Sequence, residues 1–88
     1  MQKFTSEPKT LEFTIAKARH MFPYLFEAIS DDCEQDGQEM FADHSLVTVI
    51  LDEGDRYVIS VNEIVIFDEI ITNTSDGLVK ELMQLAEV

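Results

Sequence analysis

Eighty-eight residues are enough for one domain with a real core and too few for a large enclosed active site with its own lid. Hydrophobic residues make up 45% of the chain, so the net charge of −12 describes an acidic surface over a folded core and excludes the composition of disorder. The same charge argues against direct binding to nucleic acid or an anionic membrane, and the single cysteine, Cys33, excludes an internal disulfide. With no apolar run of about 18 residues and no charged-then-apolar leader, a cytoplasmic location is expected.

Residues 1–9, with Pro8, read as an N-terminal arm to a single domain spanning 1–88, with an edge strand as the alternative reading of the arm. Leu11, Ile15, Ala18 and Phe22 then recur at spacings of four, three and four, which predicts a first helix with Thr10 as its N-cap. Pro23 lacks the N–H a helix interior needs but fits a first turn. The chain therefore kinks there or opens a second helix running to about Asp36, where Gly37 supplies the stop. On this second segment Phe22, Leu25, Phe26, Ile29 and Cys33 make an apolar stripe opposite Glu27, Asp31 and Glu34.

After His44 the period changes from helical to alternating. Ser45–Leu51, Arg56–Val61 and Ile64–Thr72 are rich in Val, Ile, Phe and Tyr, predicting a three-stranded antiparallel meander. Two-residue turns at Glu53-Gly54 and Asn62-Glu63 would set Arg56 opposite Leu51 and Glu69, and Val58 opposite Val49 and Phe67. One face then shows Val47, Val49, Leu51, Val58, Val65 and Phe67, the other Leu46, Ile50, Tyr57, Ile59, Val61, Ile64 and Ile66. Two apolar faces call for helices on both sides, or for a homodimer through the second face. A closing helix over Thr74–Val88, capped by Thr74 or Ser75 and buried through Leu78, Val79, Leu82 and Leu85, completes an α+β domain.

Few constellations in this order carry chemistry. Asp32-x-Glu34-x-Asp36-Gly37, with Asp43 in the twelfth place, follows much of a calcium-loop pattern. It departs from that pattern at Glu39, where an apolar residue is usual, and at Asp43, which is shorter than the bidentate Glu, so no metal site is expected. His20, His44 and Cys33 stand at no zinc spacing; His20 reads as a boundary residue and Cys33 as core. Nucleophile elbow, phosphate loop and dinucleotide glycine pattern are all missing, so no cofactor is expected and the reading is non-catalytic.

What remains is the acid itself. Residues 27–69 hold thirteen acids against Arg56 alone, whereas residues 1–26 hold four bases against two acids. Twelve negative charges match about 20 Å of duplex DNA, in a domain expected to span about 30 Å. Glu27, Asp31 and Glu34 repeat at helical spacing with no lysine beside them, at a cost of a few tenths of a kcal/mol per like-charge pair. The block points to a basic partner that meets Glu27, Asp31, Asp32, Glu34, Asp36, Glu39 and Asp43, joined by Asp52, Glu53 and Asp55 at the first hairpin.

Such a small, acidic, cysteine-poor domain of helices and a short antiparallel sheet resembles phage-encoded inhibitors that imitate nucleic acid, the anti-CRISPR and anti-restriction proteins. The run Gly54-Asp55-Arg56-Tyr57-Val58-Ile59-Ser60, a hairpin leaving an acidic turn, is similar to the meander of one anti-CRISPR family. This resemblance is one of class and implies a non-catalytic inhibitor of a basic, nucleic-acid-binding protein of bacterial defence or gene expression. An antitoxin or immunity protein would use the same electrostatics against a basic toxin. In a dimeric regulatory or assembly module the second sheet face would be the interface, and the charge would only prevent non-specific association.

Overall fold

The stretch Lys-Thr-Leu-Glu-Phe-Thr alternates strictly, and it forms a strand, β1 (Lys9–Thr14), with Leu11 and Phe13 turned to the core and Thr10, Glu12 and Thr14 to solvent. The computed structural model describes residues 8–35, 42–52 and 54–87, and only the backbone of 32–35. β1 leads into α1 (Ile15–Met21) and α2 (Pro23–Gln35), then β2 (Leu46–Leu51), β3 (Arg56–Val61), β4 (Ile64–Ile70), a 3-10 turn (Ile71–Asn73) and α3 (Asp76–Ala86). The α+β class, the helix pair broken at Pro23 and the C-terminal helix stand as expected. The sheet, however, has four strands in the order β1-β2-β3-β4, all antiparallel, so the three-stranded sheet and the helix beginning at Thr10 are corrected.

Leu11 and Ile15 lie four apart because a strand ends and a helix begins between them. Thr14, not Thr10, caps α1: its Oγ1 accepts the Lys17 N–H at 3.2 Å. The carbonyls of Ser45 and Asp43 accept the N–H groups of Ile15 and Ala16 at 2.9 and 3.0 Å, so the chain entering β2 completes the cap.

Register overturns the two-faced sheet. The N–H of Asp52 donates to the Arg56 carbonyl at 2.8 Å, with three residues of chain between them and Asp55 left-handed at φ 58°. That is one residue more than a two-residue hairpin, and Leu51 faces Tyr57 instead of Arg56. A one-residue shift turns every side chain to the opposite face. Tyr57, Ile59 and Val61 therefore join Val47, Val49 and Leu51 inside, with Phe13, Leu11 and Lys9 across from them on β1.

The Asn62-Glu63 turn is a two-residue one as expected, both residues left-handed at φ 51° and 71°, the conformation of a type I′ hairpin. A bulge beside Ile59 and Ser60 then shifts β4, so that Val58 meets Asp68 and Ile59 meets Phe67.

The outer face becomes a mixed one. Its rows read Glu12–Thr48–Ser60–Val65 and Thr10–Ile50–Val58–Asp68, and Arg56 grips Asp68 through two bonds of 2.7 and 2.6 Å. That pair holds the Asp68 carboxyl below the ordinary range, chiefly through the hydrogen bonds. Antiparallel sheets with one such face need no second cover. All three helices instead feed one core, where Ile15, Ala18, Leu25, Ile29, Leu78, Leu82 and Leu85 meet the inner face of the sheet.

α3 crosses that face: Thr74 Oγ1, just before it, bonds the Tyr57 hydroxyl of β3 at 2.7 Å, and the Ala86 carbonyl at its end accepts Lys9 Nζ of β1 at 3.0 Å. Eleven helical residues span about 16 Å, the width of about four strands, so the helix fits the sheet from side to side.

Among the described non-glycine residues Glu63 carries the largest positive φ. Glu63→Gly should therefore raise stability by about 0.5–1 kcal/mol in urea unfolding, the relieved left-handed strain exceeding the entropy glycine adds to the unfolded chain. Unchanged or lowered stability would show that Glu63 is not strained.

Candidate functional site

α2 starts without a polar N-cap: Phe22 precedes it, and Pro23, its first residue, brings no N–H. The next two N–H groups, of Tyr24 and Leu25, donate to Glu81 Oε2 at 3.0 Å and Oε1 at 2.8 Å. Glu81 stands in the apolar stripe of α3, only 7% exposed, and serves α2 as a cap supplied from another helix. Phe26 N–H bonds back to the Phe22 carbonyl at 2.9 Å, which completes the first turn.

This contact and the cleft beside it run α2 and α3 in opposite directions, with Leu25 beside Glu81 and Asp31 beside Ser75. Tyr24 packs against Gly77, where a Cβ would meet its ring carbons at 2.8 Å. Two clefts flank the ring. One, of about 200 Å³, is lined by Tyr24, Glu27, Ala28, Asp31, Ser75 and Leu78. The other, of about 390 Å³, is lined by Met21, Tyr24, Gly77, Lys80, Glu81 and Gln84. Met21 and Tyr24 are each 55% exposed, so the corner between α1 and α2 carries two large apolar side chains beside the acids.

Among the described residues the acids of the block fall in three places. Glu27 and Asp31, one turn apart and exposed, come together on the first cleft. Asp43 stands apart, at the start of α1, where its carboxylate meets Arg19 at 2.6 Å while the guanidinium lies 5.0 Å over the Phe26 ring. That acid latches the entry of β2 to the helices. Asp52 and Asp55 sit at the first hairpin, and the Asp55 carbonyl accepts the Ile71 N–H at 2.8 Å, just ahead of the Ser75 end of the cleft. Asp32 and Glu34 continue α2 with only their backbone described, and Asp36, Glu39 and Glu53 lie outside the described residues, as does half of the calcium-loop stretch. Among the described residues no group of three or more His, Cys, Asp or Glu could hold a metal ion. No helix there is long and apolar enough to cross a membrane.

Sequence reasoning passed over Tyr24, Ser75, Leu78 and Glu81 as site residues. For Glu81 a signal existed: it follows Leu78 by three, inside the buried stripe, while the proline-led α2 lacks a cap of its own. For the Ser75 and Leu78 side of the cleft there was none, since it depends on how two helices are aligned.

No protein-family model matches the chain, and neither the curated proteins nor the solved structures contain a significantly similar one.

Removing the Glu81 carboxylate strips two charge-assisted bonds from a buried helix end. Glu81→Ala should cost about 2–4 kcal/mol in denaturant unfolding, and Glu81→Gln, which keeps one accepting oxygen, should cost less. A loss below about 0.5 kcal/mol for the alanine variant would mean that water caps α2 equally well.

Proposed function

We propose that the protein is a non-catalytic inhibitor whose acidic α2 surface occupies the basic, nucleic-acid-binding groove of another protein, of the kind that serves bacterial defence or gene expression. One observation carries this reading: α2 exposes Glu27 and Asp31 and continues through Asp32 and Glu34 with no Lys, Arg or His anywhere from Pro23 to Gln35. Acids in the last turn oppose the helix macrodipole, and acids one turn apart repel. A solvated helix gains nothing from that arrangement, whereas a partner rich in Lys and Arg does. Asp52 and Asp55, at the first hairpin, would add a second acidic contact for the same partner.

The molecule's longest extent, 38 Å, suits a groove that otherwise holds about one turn of duplex. Assembly through the outer sheet face draws less support, because the register places Thr48, Ser60, Thr10 and the Arg56–Asp68 pair there. Neutralisation of a basic toxin uses the same acids and differs in the identity of the target.

Charge reversal of Asp31, Glu34 and Asp36 to Lys should leave the circular dichroism spectrum and stability unchanged or slightly improved. Proteins retained from a bacterial lysate by the native chain should be basic, be displaced by added duplex or RNA, and be lost both with the reversed chain and on raising salt. Retention that survives reversal and salt would reduce the acids to a solubility feature. A retained toxin whose activity is blocked would move the protein to the immunity class.

A further inference from the structure

Arg19 shows how this chain itself accommodates an arginine: the guanidinium lies over an aromatic ring, Phe26, with a carboxylate, Asp43, at its edge. The first cleft offers the same two elements elsewhere on α2. Tyr24 supplies the ring, Glu27 and Asp31 supply carboxylates, Ala28 and Leu78 supply an apolar floor, and none of the six lining residues is a base. At about 200 Å³ it falls below the roughly 300–1,000 Å³ of small-molecule pockets and is sized for a single side chain.

We propose that this cleft is a guanidinium site that receives one arginine side chain of a protein partner. The aliphatic stem would run along Ala28 and Leu78, the planar head would stack on Tyr24, and its N–H donors would reach Glu27 and Asp31. The Ser75 hydroxyl, which makes no capping bond to α3, adds an acceptor at the rim. Lysine fits less well, because a compact ammonium neither stacks nor spans two carboxylates. Gly77 is part of the design: with no Cβ it lets the Tyr24 ring lie against α3 as the cleft's wall. The site rests on the reading of α2 as a surface for a basic protein and names the side chain it selects.

Amide chemical shifts of the full chain, followed during titration with tetra-arginine and with tetra-lysine at low ionic strength, test it. Tetra-arginine should bind about two- to fivefold tighter than tetra-lysine at equal charge, the margin an exposed cation–π contact provides. The largest shifts should fall at Tyr24, Ala28, Asp31 and Ser75. Tyr24→Phe should keep that preference and Tyr24→Ala should erase it while sparing tetra-lysine binding. Glu27→Gln with Asp31→Asn should weaken both peptides. Equal affinities, or a preference that survives Tyr24→Ala, overturn the site. If the peptides then bind equally with shifts spread over the acids, recognition of a basic surface stands without the cleft. If neither peptide binds, both readings fall.

Discussion

The buried carboxylate of Glu81 on the first N–H groups of α2 is the contact on which the surface of this protein depends. A proline-led helix with Phe22 before it has no cap of its own, and a buried carboxylate tolerates burial only if its oxygens are matched. Each group supplies what the other lacks. Because the donors are backbone N–H groups, the contact fixes the helix axis as well as a side chain, and it aligns α2 with α3 to within a residue. From that alignment follow Tyr24 on Gly77, Ala28 beside Leu78, and Asp31 beside Ser75. Hydrophobic burial of Leu25, Ile29, Leu82 and Leu85 supplies most of the stabilisation, but oily contacts alone tolerate sliding. The polar contact selects one register.

The sheet obeys the same logic with different parts. Val47, Val49 and Leu51 on β2 and Tyr57, Ile59 and Val61 on β3 are all alternating apolar residues, so either pairing offers a plausible sheet on paper. The turn decides between them. With Asp55 left-handed and three residues in the connection, six side chains share one buried face. The bulge in β4 then brings Phe67 to the inner side and leaves Asp68 outside, within reach of Arg56.

Strand and helix identity was legible from residue 45 onward because Val, Ile and Tyr alternate over whole segments there, and the closing helix was legible because four of its apolar residues share a stripe. β1 was not, since Leu11, Phe13 and Ile15 satisfy a strand period while Leu11, Ile15, Ala18 and Phe22 satisfy a helical one. Only the pairing of residues 9–14 with β2 separates the two. Turn length in Asp52–Arg56 was hidden for a related reason: a left-handed Asp is uncommon, and Gly54 is the residue a reader assigns to that role. At the candidate site, Glu27 and Asp31 were readable as an exposed acidic pair, and Tyr24, three and seven residues before them, shares their helix face; the Leu78 and Ser75 side of the cleft comes from the alignment of α2 on α3, which no local pattern encodes.

The acids sort by what surrounds them. Glu81 is spent on a helix end, Asp43 on Arg19 and Asp68 on Arg56, each a contact within the fold. Glu27 and Asp31 have no such ion pair among the described residues, and they share a cleft with an aromatic ring. The chain contains two arginines, and both are engaged: Arg19 between Phe26 and Asp43, Arg56 in two bonds to Asp68. Moving either to the cleft would leave a carboxylate without its partner. Under the proposed reading, the guanidinium that meets Glu27 and Asp31 is therefore supplied by another molecule, since both of the chain's own arginines are paired elsewhere.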